Sequence, residues 1–156
     1  MMGNFVLVVE DDTDAKDVYA SVLRNAGFEV VVAKTAREAL EYTVDRTPAI
    51  VVLDRKLPDR DGLELARAWR ASAGRLAKVP IIALTSFTTR PDVEAALVAG
   101  CDAFLAKPCP GDVLVAHVTK LLMSNEPTRR MPKFDPAAAA SVVDAADRDS
   151  RPDSQT

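Results

Sequence analysis

Two cysteines, Cys101 and Cys109, are all the sequence contains. Their spacing fits neither a metal site nor a disulfide framework, which excludes a zinc module and a disulfide-stapled secreted scaffold. They read as ordinary thiols of a reducing cytoplasm, and a cytoplasmic location is expected. No apolar run approaches the ~18 residues of a membrane span. The start, Met1-Met2-Gly3-Asn4, has no basic region and does not read as a signal peptide. Positive charge is not in excess. Twenty Lys and Arg against 23 Asp and Glu give a net charge of −3, which argues against direct nucleic-acid binding. The one histidine, His117, falls on an expected helix, where a lone imidazole is usually structural or solvated.

What is present is a chain of 156 residues, 48% hydrophobic and 28% charged, enough for one ordinary globular domain with its own core. The run Ala49-Ile50-Val51-Val52-Leu53 leads into Asp54. A continuous apolar run of this kind reads as a strand buried on both faces, as in a parallel sheet. Phe5-Val6-Leu7-Val8-Val9 is a second such run and ends in Glu10-Asp11-Asp12. Thr13 or Asp14 can cap the helix that follows, which Gly27 stops. Phe28 to Ala33 reads as a strand. Thr35 with Glu38 opens a helix to about Asp45 through a capping box. After Gly62, Leu63, Leu65, Ala66 and Trp69 mark a helix to about Ser72. Ile81 to Leu84 is a strand ending in Thr85-Ser86. Pro91 opens a helix over Asp92 to Ala99 that Gly100 closes. Ala103-Phe104-Leu105 is a short last strand, and Asp112 can cap a last helix. Five alternating strand and helix units predict an α/β fold, a parallel sheet with helices on both faces built from right-handed crossovers.

The folded domain is expected over residues 1–123. The remainder, 124–156, holds four prolines and a single aromatic residue, and reads as a largely disordered tail. Within it, Asp135-Pro136 before an alanine-rich stretch predicts a short helix near 136–147.

The informative polar residues fall at the carboxyl ends of strands, where open α/β sheets place their ligand sites. Glu10, Asp11 and Asp12 follow the first strand, Asp54 the third, Thr85 the fourth and Lys107 the fifth. Clustered carboxylates repel one another unless a cation lies among them. Oxygen ligands suit Mg²⁺, which also binds phosphate oxygens. A lysine and a hydroxyl complete a site for a phosphoryl group that one carboxylate attacks in line. Asp54, alone at its strand end, is the candidate nucleophile. Glu10 and Asp11 are the better metal pair.

These residues resemble the receiver domains of two-component response regulators, in a single-domain, chemotaxis-regulator-like architecture. The resemblance covers about Asn4 to Met123. It rests on Val8-Val9-Glu10-Asp11-Asp12, on Asp54, Pro58, Asp61 and Gly62 in the pattern D-x-x-x-P-x-x-D-G, on Leu84-Thr85-Ser86 and on Ala103 to Pro108. It implies a flavodoxin-like, doubly wound α/β fold with five parallel strands in the order 2-1-3-4-5. It also implies a signalling switch, not an enzyme, that catalyses at most its own phosphorylation and dephosphorylation. Asp54 would accept a phosphoryl group from a histidine kinase or histidine phosphotransfer protein. Asp11, Asp54 and the Lys56 backbone carbonyl would hold Mg²⁺, with Glu10 helping through water. Lys107 would hold the phosphoryl group, Thr85 would move toward it, and Phe104 would rotate inward. The Lys107-Pro108 peptide would be cis. The surface from about Arg90 to Met123 would meet an output protein, with the domain a monomer or a phosphorylation-dependent dimer.

Two side chains near the site are candidates for tuning dephosphorylation: Lys56, two after Asp54, and Phe87, two after Thr85, whose apolar bulk would shield an acyl phosphate from water. Two rival readings remain. One is a receiver-like scaffold that binds partners without phosphorylation. The other is a Mg²⁺-dependent phosphohydrolase with an aspartyl-phosphate intermediate, which needs a second acid where this chain has Lys56.

Overall fold

The computed structural model describes residues 5–124. The expected tail beyond Ser124 and its short helix near 136–147 lie outside the described residues. Five parallel strands, β1 (Phe5–Val9), β2 (Glu29–Ala33), β3 (Ile50–Leu53), β4 (Ile81–Thr85) and β5 (Ala103–Ala106), form one sheet in the order β2-β1-β3-β4-β5. The crossovers are α1 (Thr13–Asn25), α2 (Ala36–Tyr42), α3 (Gly62–Ala71) and α4 (Arg90–Val98), and α5 (Gly111–Ser124) closes the fold. A short 3-10 turn, Gly74–Lys78, precedes β4 and has no counterpart in the sequence reading.

The apolar runs become central strands because both of their faces are covered. Phe5, Leu7 and Val9 join a core with Ala36 and Ala39 of α2, Leu63, Leu65 and Trp69 of α3, and Val93 and Ala96 of α4. Val6 and Val8 point the other way, into a core with Tyr19, Ala20 and Leu23 of α1 and Leu114 and Val118 of α5. Side chains alternate across a strand, so a strand covered on both faces needs apolar residues at every position. Each fully buried Leu, Val or Phe contributes about 1.5–3 kcal/mol, which makes a slip of register costly. Among the described residues no helix is long and apolar enough to cross a membrane.

Several element ends differ from the sequence reading. The N-cap of α1 is Asp12, whose side chain accepts from the Ala15 N–H, and not Thr13 or Asp14. Asp12 wins because it is the last extended residue before the helix, the backbone state a cap requires. Helix α2 ends at Tyr42 and not near Asp45. There the Thr43 hydroxyl donates back to the helix, at 3.0 Å from the Ala39 carbonyl oxygen, and accepts from Trp69 Nε1 at 3.3 Å. Helix α4 begins earlier than Asp92, because Thr89 is its cap and forms a capping box with Asp92. Helix α5 begins at Gly111, so Asp112 lies in its first turn and does not precede it. Gly27 and Gly100 have φ of +102° and +106°, the left-handed state in which helices end on glycine.

Candidate functional site

Three hydrogen bonds carry the sheet one residue beyond its strands and fix the site. Glu10 N donates to the Ala33 carbonyl at 2.9 Å, Asp54 N to the Val9 carbonyl at 3.0 Å, and Lys107 N to the Thr85 carbonyl at 2.9 Å. Val9 pairs with Leu53, which puts Glu10 and Asp54 side by side at the carboxyl edge of β1 and β3. The loop after Asp54 folds back on itself. Lys56 and Asp61 form an antiparallel bridge, and Gly62 N donates to the Arg55 carbonyl at 2.6 Å. A Cβ on Gly62 would collide with the Asp54 carbonyl oxygen, which is why glycine stands there. Asp61 caps α3 through Leu63 N at 2.9 Å. Asp59 reaches across to α2 and accepts from Ala36 N and Arg37 N at 3.0 and 2.9 Å. These bonds outweigh the loss of hydration and hold the Asp59 carboxyl below the ordinary aspartate value.

Glu10, Asp54 and Thr85 are 2%, 5% and 2% exposed, whereas Asp11 is exposed at the rim. One carboxylate oxygen from each of Glu10, Asp11 and Asp54 lies within 4.8 Å of the others. Lys107 enters from β5. Its Nζ is 2.6 Å from Glu10 Oε1 and 3.3 Å from Asp54 Oδ2. Glu10 Oε2 also accepts from Asp12 N at 3.1 Å, and Asp54 Oδ1 from Lys56 N at 3.4 Å. Burial, and then the nearby Asp54 charge, push the Glu10 carboxyl above its ordinary value despite its bond to Lys107. Burial alone would lower the Lys107 ammonium. The hydrogen bond to Glu10 and the charge of Asp54 outweigh it and hold the lysine above its ordinary value. The three carboxylates therefore suit a hard divalent cation with oxygen ligands, and they reach one point from two different strand ends.

The remaining expected residues surround this cluster. Thr85 Oγ1 accepts from Phe87 N at 3.1 Å. Lys56, exposed, and Phe87, 41% exposed, line the same cleft as Asp54 and Lys107. The Lys107-Pro108 peptide is cis. Phe104 is 3% exposed and already inside the core on the α2–α4 face, so this structure shows no outward position from which it would rotate. Neither cysteine is poised to react. Burial pushes the Cys101 thiol up to about 12 and the Cys109 thiol to about 11. His117 is buried on α5, with Nδ1 2.9 Å from the Val113 carbonyl oxygen.

One acidic cap and an arginine were not legible as site-building residues. Asp59 stands among loop charges with no pattern that says which helix it will cap. Arg55 spans the loop to α4, with Nε 3.3 Å from Asp61 Oδ2 and Nη1 3.1 Å from Asp92 Oδ1.

A doubly wound sheet that gathers an acidic triad, a lysine and a hydroxyl at its carboxyl edge defines a small α/β domain with a candidate cation site. Comparison with known proteins agrees: the response regulator receiver domain model matches residues 6–119, and the chain belongs to that family of two-component signalling domains. The DNA-binding response regulator MtrA of Mycobacterium tuberculosis is 34% identical over 143 residues, 92% of this chain and 58% of MtrA. The chain thus spans a little over half the length of this curated relative. The signal receiver domain of a histidine kinase from Syntrophus aciditrophicus is 29% identical, with a TM-score of 0.73 over 83% of this chain and 97% of that one. The BeF3-activated DrrB receiver domain is 27% identical, with a TM-score of 0.70 over 79% of this chain and 99% of that one.

Proposed function

We propose that this domain is a switch driven by phosphorylation of Asp54. An Asp54 carboxylate oxygen attacks the phosphorus of a phosphohistidine on a kinase or phosphotransfer protein. The new O–P bond forms as the P–N bond breaks, and the imidazole leaves with the electron pair. The observation that carries this reading is Lys107 lying within reach of both Glu10 and Asp54, beside three carboxylates that converge within 4.8 Å.

Glu10, Asp11, Asp54 and the Lys56 backbone carbonyl would hold Mg²⁺. The ion would neutralise charge on the transferring phosphoryl oxygens. Lys107 stands against the attacking carboxylate and can follow a phosphoryl oxygen once one is bound there. Thr85 supplies a hydroxyl that can donate to a phosphoryl oxygen only in the phosphorylated state, which is the differential contact a two-state switch requires. Phe104, already packed inside, serves as the apolar wall behind that movement. Lys56 and Phe87 border the cleft and would set how readily water reaches the acyl phosphate.

The output would be protein contact through the surface from about Arg90 to Met123, where Val98 and Met123 are 82% and 73% exposed. The activity would be signalling, with hydrolysis of the domain's own acyl phosphate, releasing inorganic phosphate, as its turnover. The net negative charge favours a protein partner over nucleic acid. Lability tests the chemistry. After treatment with a small acyl phosphate and Mg²⁺, the label should be removed by neutral hydroxylamine, which cleaves a carboxyl–phosphate anhydride. A label that resists hydroxylamine contradicts aspartyl phosphorylation.

A further inference from the structure

Arg55 follows Asp54 in the chain, yet its side chain engages neither Glu10 nor Asp54. It reaches three other elements. Nε is 3.3 Å from Asp61 Oδ2 at the start of α3, Nη1 is 3.1 Å from Asp92 Oδ1 in the first turn of α4, and the guanidinium carbon is 5.5 Å from the Phe87 ring centroid. Both carboxylates divide their oxygens. Asp61 gives Oδ1 to Leu63 N, and Asp92 gives Oδ2 to Thr89 N and Oγ1. With one oxygen Asp61 caps α3 and Asp92 completes the capping box of α4, and each offers the other oxygen to Arg55. A planar guanidinium can meet both carboxylates while its face lies over a ring, and an ammonium cannot.

Two surface ion pairs would ordinarily count for little. Their placement matters here because of Phe87. Its N–H donates to Thr85 Oγ1 at 3.1 Å, so the hydroxyl expected to swing toward a phosphoryl group is tied to the residue under Arg55. Turning Thr85 toward Asp54 pulls on Phe87 and on the loop into α4. That strains the Arg55 contacts on both sides of the loop.

We infer that Arg55 is a positioning residue that holds the Thr85–Phe87 loop and the start of α4 in the arrangement in which Thr85 Oγ1 accepts from Phe87 N, by bridging Asp61 and Asp92 across the Phe87 ring. The inference rests on the proposed phosphorylation of Asp54. Arg55 sets the threshold of the switch without touching the phosphoryl group. Any ligand that favours the switched state must overcome these contacts, and its apparent affinity falls accordingly.

The test is a titration of the full chain with BeF3⁻ and Mg²⁺, followed by backbone amide shifts of residues 85–92. Wild type is compared with Arg55→Met, Arg55→Lys and Phe87→Leu. Losing contacts of this strength should tighten BeF3⁻ binding about threefold to tenfold in Arg55→Met. Arg55→Lys should fall between wild type and Arg55→Met. Phe87→Leu, which keeps apolar bulk and loses only the ring face, should tighten binding by less. A purely structural role would lower the thermal midpoint and leave BeF3⁻ affinity where it was. Wild type that binds BeF3⁻ while Arg55→Met and Phe87→Leu bind no tighter overturns the inference. Wild type that fails to bind BeF3⁻ overturns the Asp54 reading instead.

Discussion

Lys107 Nζ lies 2.6 Å from Glu10 Oε1, closer than to Asp54 Oδ2 at 3.3 Å. The lysine from the last strand thus neutralises the acidic residue of the first and reaches Asp54 of the strand between them in sequence. Glu10 and Asp54 are nearly fully buried, and two buried carboxylates without a cation would be costly. Lys107 is the cation the folded chain itself provides.

Removing that cation should expose the repulsion. Lys107→Met is expected to lower stability by about 2–3 kcal/mol, below the ~3–5 of a fully buried pair because the lysine side chain keeps 18% exposure. Millimolar Mg²⁺ should restore much of the loss. Urea unfolding with and without Mg²⁺ measures both. A variant that Mg²⁺ does not rescue would argue that the acidic cluster holds no metal.

The raised Glu10 value gives a second expectation, with a definite sign. Between the ordinary glutamate value and the raised folded one, the folded state holds a proton that the unfolded state has released. Stability from this group therefore falls as pH rises through that window. The stability difference between wild type and Glu10→Gln should move against wild type from about pH 4.5 upward. Urea unfolding of both proteins across pH 4.5 to 7 is the check, and a difference that stays flat contradicts it.

Gly62→Ala tests the backbone that shapes the loop. A methyl group there meets the Asp54 carbonyl oxygen and the Arg55 backbone. Overpacking of this kind costs about 1–3 kcal/mol. It should also slow phosphorylation, because the strain falls on the nucleophile's own backbone. Loss of stability with an unchanged phosphorylation rate would separate the two effects and remove the second.

Much of this was legible from residue order alone. Two long β-branched runs can only be central strands, and a polar residue immediately after each marks the carboxyl edge. That is why Glu10, Asp54, Thr85 and Lys107 could be placed on one rim before any coordinates. The helix ends were less legible. Thr13 and Asp14 both read as caps, and only the extended backbone at Asp12 shows that the cap falls earlier. The ends of α2 and the start of α4 depend on partners distant in sequence or on a box whose acid is Asp92. Asp59 and Arg55 were invisible for the same reason: their partners lie 22 to 23 and 37 residues away. Local pattern says nothing about contacts set by how crossovers pack. Phe104 differs for another reason. A rotation describes two states, and residue order cannot say which one the chain holds.

In the proposed function Asp54 is a Mg²⁺-dependent phosphoacceptor. The most direct test of this is the intact mass of the protein after incubation with a small acyl phosphate, with and without Mg²⁺, beside Asp54→Ala. A gain of one phosphoryl group, about 80 Da, that requires both Mg²⁺ and Asp54 is expected. No gain in wild type, from this donor or from a phosphohistidine donor, or an equal gain in Asp54→Ala, would contradict it.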